Sequence, residues 1–210
     1  MSINSLVLGI DLGTSGLRIA IINSQKQILY TSASSYSSGL EIWEDWINSF
    51  KTLIEEAPKD LKEKLISCSI AGTSGTLLAC RKSGEPMGKA LPYFLSCSEY
   101  SSEINNLFFK ECVGSSISGS IGRALRLLDL YGNEIILRHQ ADWFSGWLLN
   151  NWEYGEEGNN IRMGWEISTN SWPKTFKNLK WLKCLPKIIS SGQFMGNICN
   201  KKAKELNLPK

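Results

Sequence analysis

One carboxylate near the N-terminus stands between an apolar run and a turn of small residues. Asp11 ends the run LVLGI, and the turn that follows reads GTSG. The residues of this turn are Gly13, Thr14, Ser15 and Gly16. Because backbone N–H groups in such a turn cradle phosphate oxygens and a carboxylate holds Mg²⁺ directly or through water, the pattern suits a metal–polyphosphate group. The residues alone leave a second interpretation open, a hairpin whose glycines only permit positive φ.

Two better-known phosphate loops are excluded by spacing. A P-loop has Lys directly after its second glycine, whereas Leu17 follows Gly16. A dinucleotide fingerprint has G-x-G-x-x-G at the start of a helix, whereas the spacing here is G-x-x-x-G-x-x-G. The next run, LRIAII, is rich in isoleucine and predicts a strand. The motif is therefore expected on a strand–turn–strand unit.

The elements that would position this unit follow an α/β pattern. After the first two strands, the predicted order is a strand at 28–31, a polar loop or strand edge at 32–38, an amphipathic helix at 43–57, a strand at 65–71 and a strand at 76–80. The last two strands flank a second GTSG turn, made of Gly72, Thr73, Ser74 and Gly75. From Cys97 onward the chain is predicted to be mostly helical. Helices are expected at 98–112, 122–131, 140–150 and 174–185, and a loop at 152–171.

Composition excludes several classes of function. The 210 residues are 42% hydrophobic and 20% charged, which is typical of a soluble globular protein. A net charge of only +3 implies no nucleic-acid partner, and no apolar run predicts a membrane span. Six cysteines without a C-x-x-C pair, and a single histidine, disfavour a zinc site. Free thiols in a reducing cytoplasm are expected, and His139 is interpreted as a structural histidine.

Five blocks in order resemble the FGGY carbohydrate kinases, which belong to the actin/hexokinase/Hsp70 ATPase superfamily. The hairpin LGIDLGTSGLR at 8–18 is similar to the phosphate-1 motif of that family. The later blocks are IAGTSGT at 70–76, LPYFLSC at 91–97, HQADWFS at 139–145 and NNIRMG at 159–164. The subgroup that the chain resembles most is the D-ribulose kinase-like proteins of phototrophs. The resemblance spans the chain but only the first half of the family.

The resemblance implies a fold and a division of the chain. The expected fold is a ribonuclease-H-like, actin-type ATPase domain with a central mixed sheet, flanking helices and a helical second portion. Residues 1–97 would form the sheet-rich sugar and phosphate-1 portion, and 98–210 the mainly helical portion of one N-terminal kinase domain. In the family a second domain closes a cleft over the sugar. The catalytic-base Asp, the second phosphate loop and the adenosine-binding segment of the family would lie beyond residue 210.

The resemblance also implies roles for individual residues. In the family a sugar hydroxyl attacks the γ-phosphate of Mg-ATP. Asp11 would be the metal-side carboxylate, and the first GTSG turn would bind the phosphates. The substrate-binding residues implied are Asp11, Ser15, Gly16, Arg18, Gly72, Thr73, Ser74 and Gly75. For Arg18, contact with phosphate or sugar and pairing with a surface acid both stay open. Ala71 stands where the subgroup usually has Asp, which puts the identity of the sugar in doubt.

Three functions stay open at the level of sequence. The first is the N-terminal half of a ketopentose kinase, possibly acting on D-ribulose, that works with a separately encoded C-terminal half or as a homodimer, or that survives as a truncated relic. The second is a non-catalytic module that binds sugar or phosphate. The third is a structural interaction domain that has kept the fold and lost the chemistry.

Overall fold

Two compact units make up the chain. The computed structural model describes residues 5–108 and 112–209. Within those limits the first unit comprises Met1–Thr73, Leu148–Asn150 and Met195–Lys210, and the second comprises Ser74–Trp147 and Asn151–Phe194. The first GTSG turn lies in the first unit, whereas the second has Gly72 and Thr73 in the first unit and Ser74 and Gly75 in the second.

A four-stranded mixed sheet forms the centre of the first unit. Its strands are β1 (Leu6–Leu12), β2 (Gly16–Asn23), β3 (Ile28–Ser35) and β4 (Leu65–Gly72), in the spatial order β3-β2-β1-β4. β1 runs antiparallel to β2 and parallel to β4. The serine-rich stretch is part of this sheet, since Gly16 is paired with Ser35. The strand-edge interpretation is confirmed for 32–35, and 36–38 form the loop that follows β3.

Helix α1 (Trp43–Glu56) lies against this sheet, with contacts to β2 and β3. Its buried stripe has helical spacing, and the sheet residues that are buried alternate along β1 and β2 as an amphipathic strand requires. These residues are Trp46, Phe50, Leu53 and Ile54 on α1, and Leu8, Ile10, Leu17, Ile19 and Ile21 on the strands. Ala57 is extended before Pro58, so the helix ends where the sequence predicts.

Two short helices complete the first unit. They are α2 (Lys59–Lys62) and α7 (Asn200–Leu206). Lys51 Nζ on α1 lies 2.6 Å from Glu205 Oε1 on α7, and the two helices are in contact. The opposite face of the sheet carries mostly small side chains.

The second unit is built on two small sheets and four helices within the described residues. β5 (Leu77–Cys80) pairs antiparallel with β6 (Ile136–His139), and β7 (Tyr154–Glu156) pairs parallel with β8 (Lys187–Ile189). The helices are α3 (Ser101–Leu107), α4 (Ser120–Tyr131), α5 (Gln140–Leu149) and α6 (Glu157–Asn160). Its apolar core includes Leu77, Ile104, Ile121, Leu137 and Phe176.

The second unit departs from the sequence prediction in three segments. The predicted helix at 98–112 is a 3₁₀ turn followed by α3, which ends at Leu107, and positions 109–111 lie outside the described residues. The predicted helix at 174–185 is wrong, because two 3₁₀ segments, Lys174–Asn178 and Leu182–Cys184, occupy it. The predicted loop at 152–171 contains β7 and α6.

Aromatic packing explains the second of these departures. The ring of Phe176 stacks on Trp172 at 6.2 Å between centroids and meets Trp181 edge-on at 5.3 Å. On one straight α-helix, residues five apart would lie about 140° apart around the axis. Here Leu179 is extended between the two 3₁₀ segments, and the chain bends so that Phe176 and Trp181 meet. Tertiary packing therefore overrides the helix predicted at 174–185. No helix in the described part of the chain has the length and apolarity needed to cross a membrane.

Candidate functional site

The first GTSG turn closes the β1–β2 hairpin. Asp11 is paired with Arg18 across the two strands, and Gly13 N donates a hydrogen bond to Gly16 O at 2.9 Å. Thr14 and Ser15 lie exposed at the tip. The N–H groups of Thr14 and Ser15 have no acceptor within residues 5–108 and 112–209. The hairpin thus presents two free backbone donors beside a half-exposed carboxylate.

Glycine is required in this hairpin because neighbouring backbone atoms approach it closely, and not because its φ is positive. Neither Gly13 nor Gly16 is among the residues with positive φ. A Cβ added to Gly16 would lie 2.4 Å from Ser34 O on β3, far inside van der Waals contact. The interpretation that these glycines only permit positive φ is therefore wrong at both positions. Ser15 O also accepts a hydrogen bond from Tyr36 N at 2.9 Å, which ties the tip to the end of β3.

Arg18 forms an ion pair with the candidate metal carboxylate itself. Arg18 Nη1 lies 3.1 Å from Asp11 Oδ2, and the two side chains are 70% and 50% exposed. Of the roles that the sequence left open, pairing with an acid is the one present here. An exposed pair of this kind contributes at most about 1 kcal/mol to stability. Both groups are therefore free to exchange partners when a phosphate or cation arrives.

A groove runs over the sheet face that carries Asp11. Its volume is about 610 Å³. Its floor is made mostly of small side chains, Gly9, Ala20, Thr31, Ala33, Ser69 and Ala71, with the Asp11–Arg18 pair among the lining residues. Ile10 and Ile19 are the large apolar residues among those that line the groove.

The second GTSG turn begins beside the first one. Leu12 is paired with Gly72, and Thr73 N and Oγ1 both donate to Leu12 O, at 3.0 and 3.3 Å. Gly72 and Thr73 therefore follow β4 at the same sheet edge as the end of β1, within the first unit. Ser74 and Gly75 belong to the second unit.

Gly75 is held in a conformation and a space that only glycine fits. Its φ is +97°, and a Cβ there would lie 3.1 Å from Arg162 Cδ, 3.2 Å from Arg123 Nη2 and 3.3 Å from Tyr93 Cβ. Arg123 Nε donates to Gly75 O at 2.9 Å. The turn is thus fixed by a buried arginine that sequence reasoning missed. The signal available was a charged residue inside the apolar helix run IGRALRLL.

A serine, a histidine and a carboxylate contact one another in turn, as in a hydrolase triad, but they are sealed in the interior. They are Ser120, His139 and Asp142. His139 Nε2 lies 2.9 Å from Ser120 Oγ, and His139 Nδ1 lies 3.8 Å from Asp142 Oδ2. All three are at most 2% exposed. A substrate has no access to this serine, so the contacts are structural, as interpreted for His139 from the sequence.

Asp142 anchors the segment that leads to Arg162. Its carboxylate accepts hydrogen bonds from Glu156 N at 3.0 Å, Asn159 Nδ2 at 3.0 Å and Asn160 Nδ2 at 2.9 Å. These contacts fix α6 to α5, and a 3₁₀ turn, Ile161–Met163, follows α6 directly.

Comparison with known proteins identifies the fold. No protein-family model matches the chain. Glycerol kinase from Plasmodium falciparum, solved with ADP, superposes with a TM-score of 0.80 at 18% identity over 98% of this chain and 47% of that one. Xylulose kinase from Rhodospirillum rubrum superposes with a TM-score of 0.83 at 12% identity, over 97% of this chain and 47% of that one. A carbohydrate kinase from Novosphingobium aromaticivorans superposes with a TM-score of 0.78 at 16% identity, over 100% of this chain and 47% of that one.

The fold is that of sugar kinases. The mixed sheet with its helices and these superpositions confirm the predicted actin-type ATPase fold. The chain spans about half the length of the structures that it matches. At these identities the likeness establishes the fold alone, and the activity has to be argued from the residues.

The hairpin residues fit a Mg²⁺–polyphosphate group. Mg²⁺ commonly binds through one or two carboxylates together with substrate phosphates and water, so a single Asp beside free N–H donors suffices. The described residues contain no cluster of three or more His, Cys, Asp or Glu that would hold a metal alone. Any cation at Asp11 would accordingly share its coordination with the phosphates.

Proposed function

We propose that this chain is the N-terminal portion of an ATP-dependent sugar kinase and that the β1–β2 hairpin binds the phosphates of Mg-ATP. The observation that carries this proposal is the pair of free N–H groups at Thr14 and Ser15 beside the carboxylate of Asp11. Backbone donors and a carboxylate–metal contact are the parts that phosphoryl transfer requires, because its catalysis is mainly positioning and charge neutralisation. The fold of the matched kinases supports the same assignment.

Each residue of the hairpin has a distinct part in this proposal. Asp11 would hold Mg²⁺, which neutralises phosphate charge when bound. Thr14 and Ser15 would donate N–H groups to phosphate oxygens, and Gly13 and Gly16 keep the turn tight enough to aim them. Arg18, released from Asp11 by the cation, would contact the phosphates or the sugar.

The second GTSG turn would bind the sugar. Its members are Gly72, Thr73, Ser74 and Gly75. A serine hydroxyl beside backbone groups suits a polyol, because each sugar hydroxyl both donates and accepts hydrogen bonds. We propose a ketopentose as substrate, with D-ribulose the first to test, on the resemblance of the 70–76 and 91–97 blocks. Within the described residues we assign no catalytic base and no adenosine contact.

A non-catalytic binding module is the second candidate. It is favoured by one observation, the Asp11–Arg18 ion pair, which neutralises the carboxylate without any ligand. Such a module would bind phosphate through the free N–H groups and Arg18, and Mg²⁺ would not strengthen the binding.

Calorimetric titration with ADP, with and without Mg²⁺, distinguishes the two. For the kinase portion we expect Mg²⁺ to tighten ADP binding, and Asp11→Asn to weaken Mg-ADP binding about tenfold or more, a change of about 1.4 kcal/mol or more. Asp60→Asn, an exposed change of the same charge in the same unit, is the matched control and should bind as the wild type does. Equal affinities for Asp11→Asn and the wild type would refute the metal role.

A further inference from the structure

Arg123 is a buried cation with no counter-ion among residues 5–108 and 112–209. Its side chain is 0% exposed, and its guanidinium donates to four backbone carbonyls, Gly75 O at 2.9 Å, Tyr93 O at 3.0 Å, Leu95 O at 2.7 Å and Ser118 O at 3.2 Å. No carboxylate of the described residues forms an ion pair with it. Carbonyls satisfy its N–H groups but leave its net charge in place.

A second arginine meets the first over Gly75. Arg162 Cδ and Arg123 Nη2 lie 3.1 and 3.2 Å from the same point, the position of a Cβ on Gly75. Arg162 is partly exposed, and within the described chain its guanidinium has no hydrogen bond or ion pair. Burial lowers the pKa of Arg123 to about 10, with a smaller lowering from the charge of Arg162 and an opposing effect of Cys97, so Arg123 stays cationic at neutral pH.

The start of helix α4 adds a third source of positive potential. α4 has twelve residues and begins at Ser120, with no side-chain cap on its N-terminus and no acidic residue in its first turn. Arg123 lies in that first turn, and α4 contacts the 3₁₀ turn that carries Arg162. The N-terminal end of a helix favours anions through its free N–H groups and dipole. Of the carboxylates close to α4, Glu99 in the preceding 3₁₀ turn is paired with Arg126, and Asp129 on α4 accepts a hydrogen bond from Tyr100 Oη.

The backbone that presents Arg162 is fixed in advance. Asn160 Nδ2 donates to Asp142 Oδ2 at 2.9 Å, and Gly164 N donates to Ile161 O at 2.9 Å, so the residues on both sides of Arg162 are tied down. A guanidinium on a fixed backbone loses less entropy when it binds a ligand.

We propose that Arg162, supported by the field of the enclosed Arg123, binds the oxyanion of an anionic sugar, a phosphate or carboxylate group, beside Gly75. Arg162 is the contacting group because it is the accessible member of the pair, and its planar fork matches both kinds of oxyanion. Arg123 acts at a distance through a low-dielectric interior, where its charge is poorly screened. As far as the oxyanion belongs to a sugar, this inference rests on the proposed function, and it adds sugars that carry a phosphate or carboxylate group to the neutral ketopentose as candidate ligands.

The test is calorimetric titration of the whole chain at constant ionic strength with inorganic phosphate, D-gluconate, D-ribulose 5-phosphate and neutral D-ribulose. The variants are Arg162→Gln and Arg162→Lys. Arg81→Gln, which removes an exposed arginine paired with Glu85 in the same unit, is the control for net charge. We expect Arg162→Gln to weaken binding of the anionic probes at least tenfold, Arg162→Lys to weaken it less, and Arg81→Gln to leave it unchanged. Neutral D-ribulose should bind the wild type and Arg162→Gln alike.

The possible outcomes separate this inference from the proposed function. Neutral D-ribulose binding with no affinity for the anionic probes would overturn the inference and leave the sugar site standing. Arg162-dependent phosphate binding without any binding of D-ribulose would support the anion site and count against the ketopentose. Equal losses in Arg162→Gln and Arg81→Gln, or equal affinity in Arg162→Gln and the wild type, would overturn the inference. Unfolding midpoints of all variants, measured in chloride, establish that each one is folded.

Discussion

At the scale of single residues, the hairpin is specified by one carboxylate and by glycines that leave room for neighbouring backbone. Gly16 gives β3 its close approach, because its missing Cβ would lie 2.4 Å from Ser34 O. That approach fixes the turn in which Thr14 and Ser15 keep their N–H groups free. The chemistry of the hairpin therefore depends on packing behind it as much as on the residues at its tip.

Replacing Gly16 by Ala should destabilise the first unit. The added methyl group cannot be accommodated without moving β2 from β3, and we expect a loss of about 1–3 kcal/mol in the free energy of unfolding. Gly9→Ala is the matched control in the adjacent strand, since its Cβ would meet only Ala20 O, at 3.8 Å. Urea denaturation of both variants measures the difference. Equal stabilities of the two variants would contradict the close approach that we describe.

Sequence reasoning located this hairpin but not the arginines of the second unit. A run ending in Asp and followed by GTSG carries its own local signal, whereas Arg123 and Arg162 meet only through tertiary packing 39 positions apart in the sequence. No local spacing connects them. The role of Arg18 stayed open for the same reason, because its pairing with Asp11 depends on strand register.

At the scale of elements, the spacing of apolar residues and the signals that end a helix predicted the strands and helix of the first unit. In the second unit, tertiary packing determines where helices and turns form. β1, β2, α1 and β4 lie where alternation, helical spacing and Pro58 placed them. The segment at 174–185 was misassigned because aromatic packing around Phe176 favours 3₁₀ turns. The element that bears Arg162 is likewise held by contacts and not by propensity, since Asp142 supplies its anchor.

Removal of the Asp142 carboxylate should loosen this anchor. Asp142→Ala leaves the buried donor of Asn160 and the half-buried donor of Asn159 without their acceptor, and we expect the free energy of unfolding to fall by about 3 kcal/mol or more. Asp142→Asn, which keeps one acceptor oxygen, should lose less. Asp60→Ala is exposed and should stay within about 0.5 kcal/mol of the wild type. An Asp142→Ala variant as stable as Asp60→Ala would show that the anchor is dispensable.

At the scale of the whole molecule, the chain matches about 47% of each sugar kinase that superposes on it. The proposed roles are consistent with a match to only part of each kinase, because they include phosphate, metal and sugar contacts and no catalytic base. The proposed function of this chain therefore concerns binding at the β1–β2 hairpin.

Amide NMR of the ¹⁵N-labelled chain measures the binding of Mg-ADP at this hairpin residue by residue. On titration with Mg-ADP we expect the amide signals of Thr14 and Ser15 to move, because their free N–H groups become hydrogen-bonded to phosphate oxygens. The shifts should be smaller without Mg²⁺ and in Asp11→Asn, and unchanged in Asp60→Asn. Signals of Thr14 and Ser15 that stay in place at Mg-ADP concentrations that saturate the calorimetric signal would contradict the account.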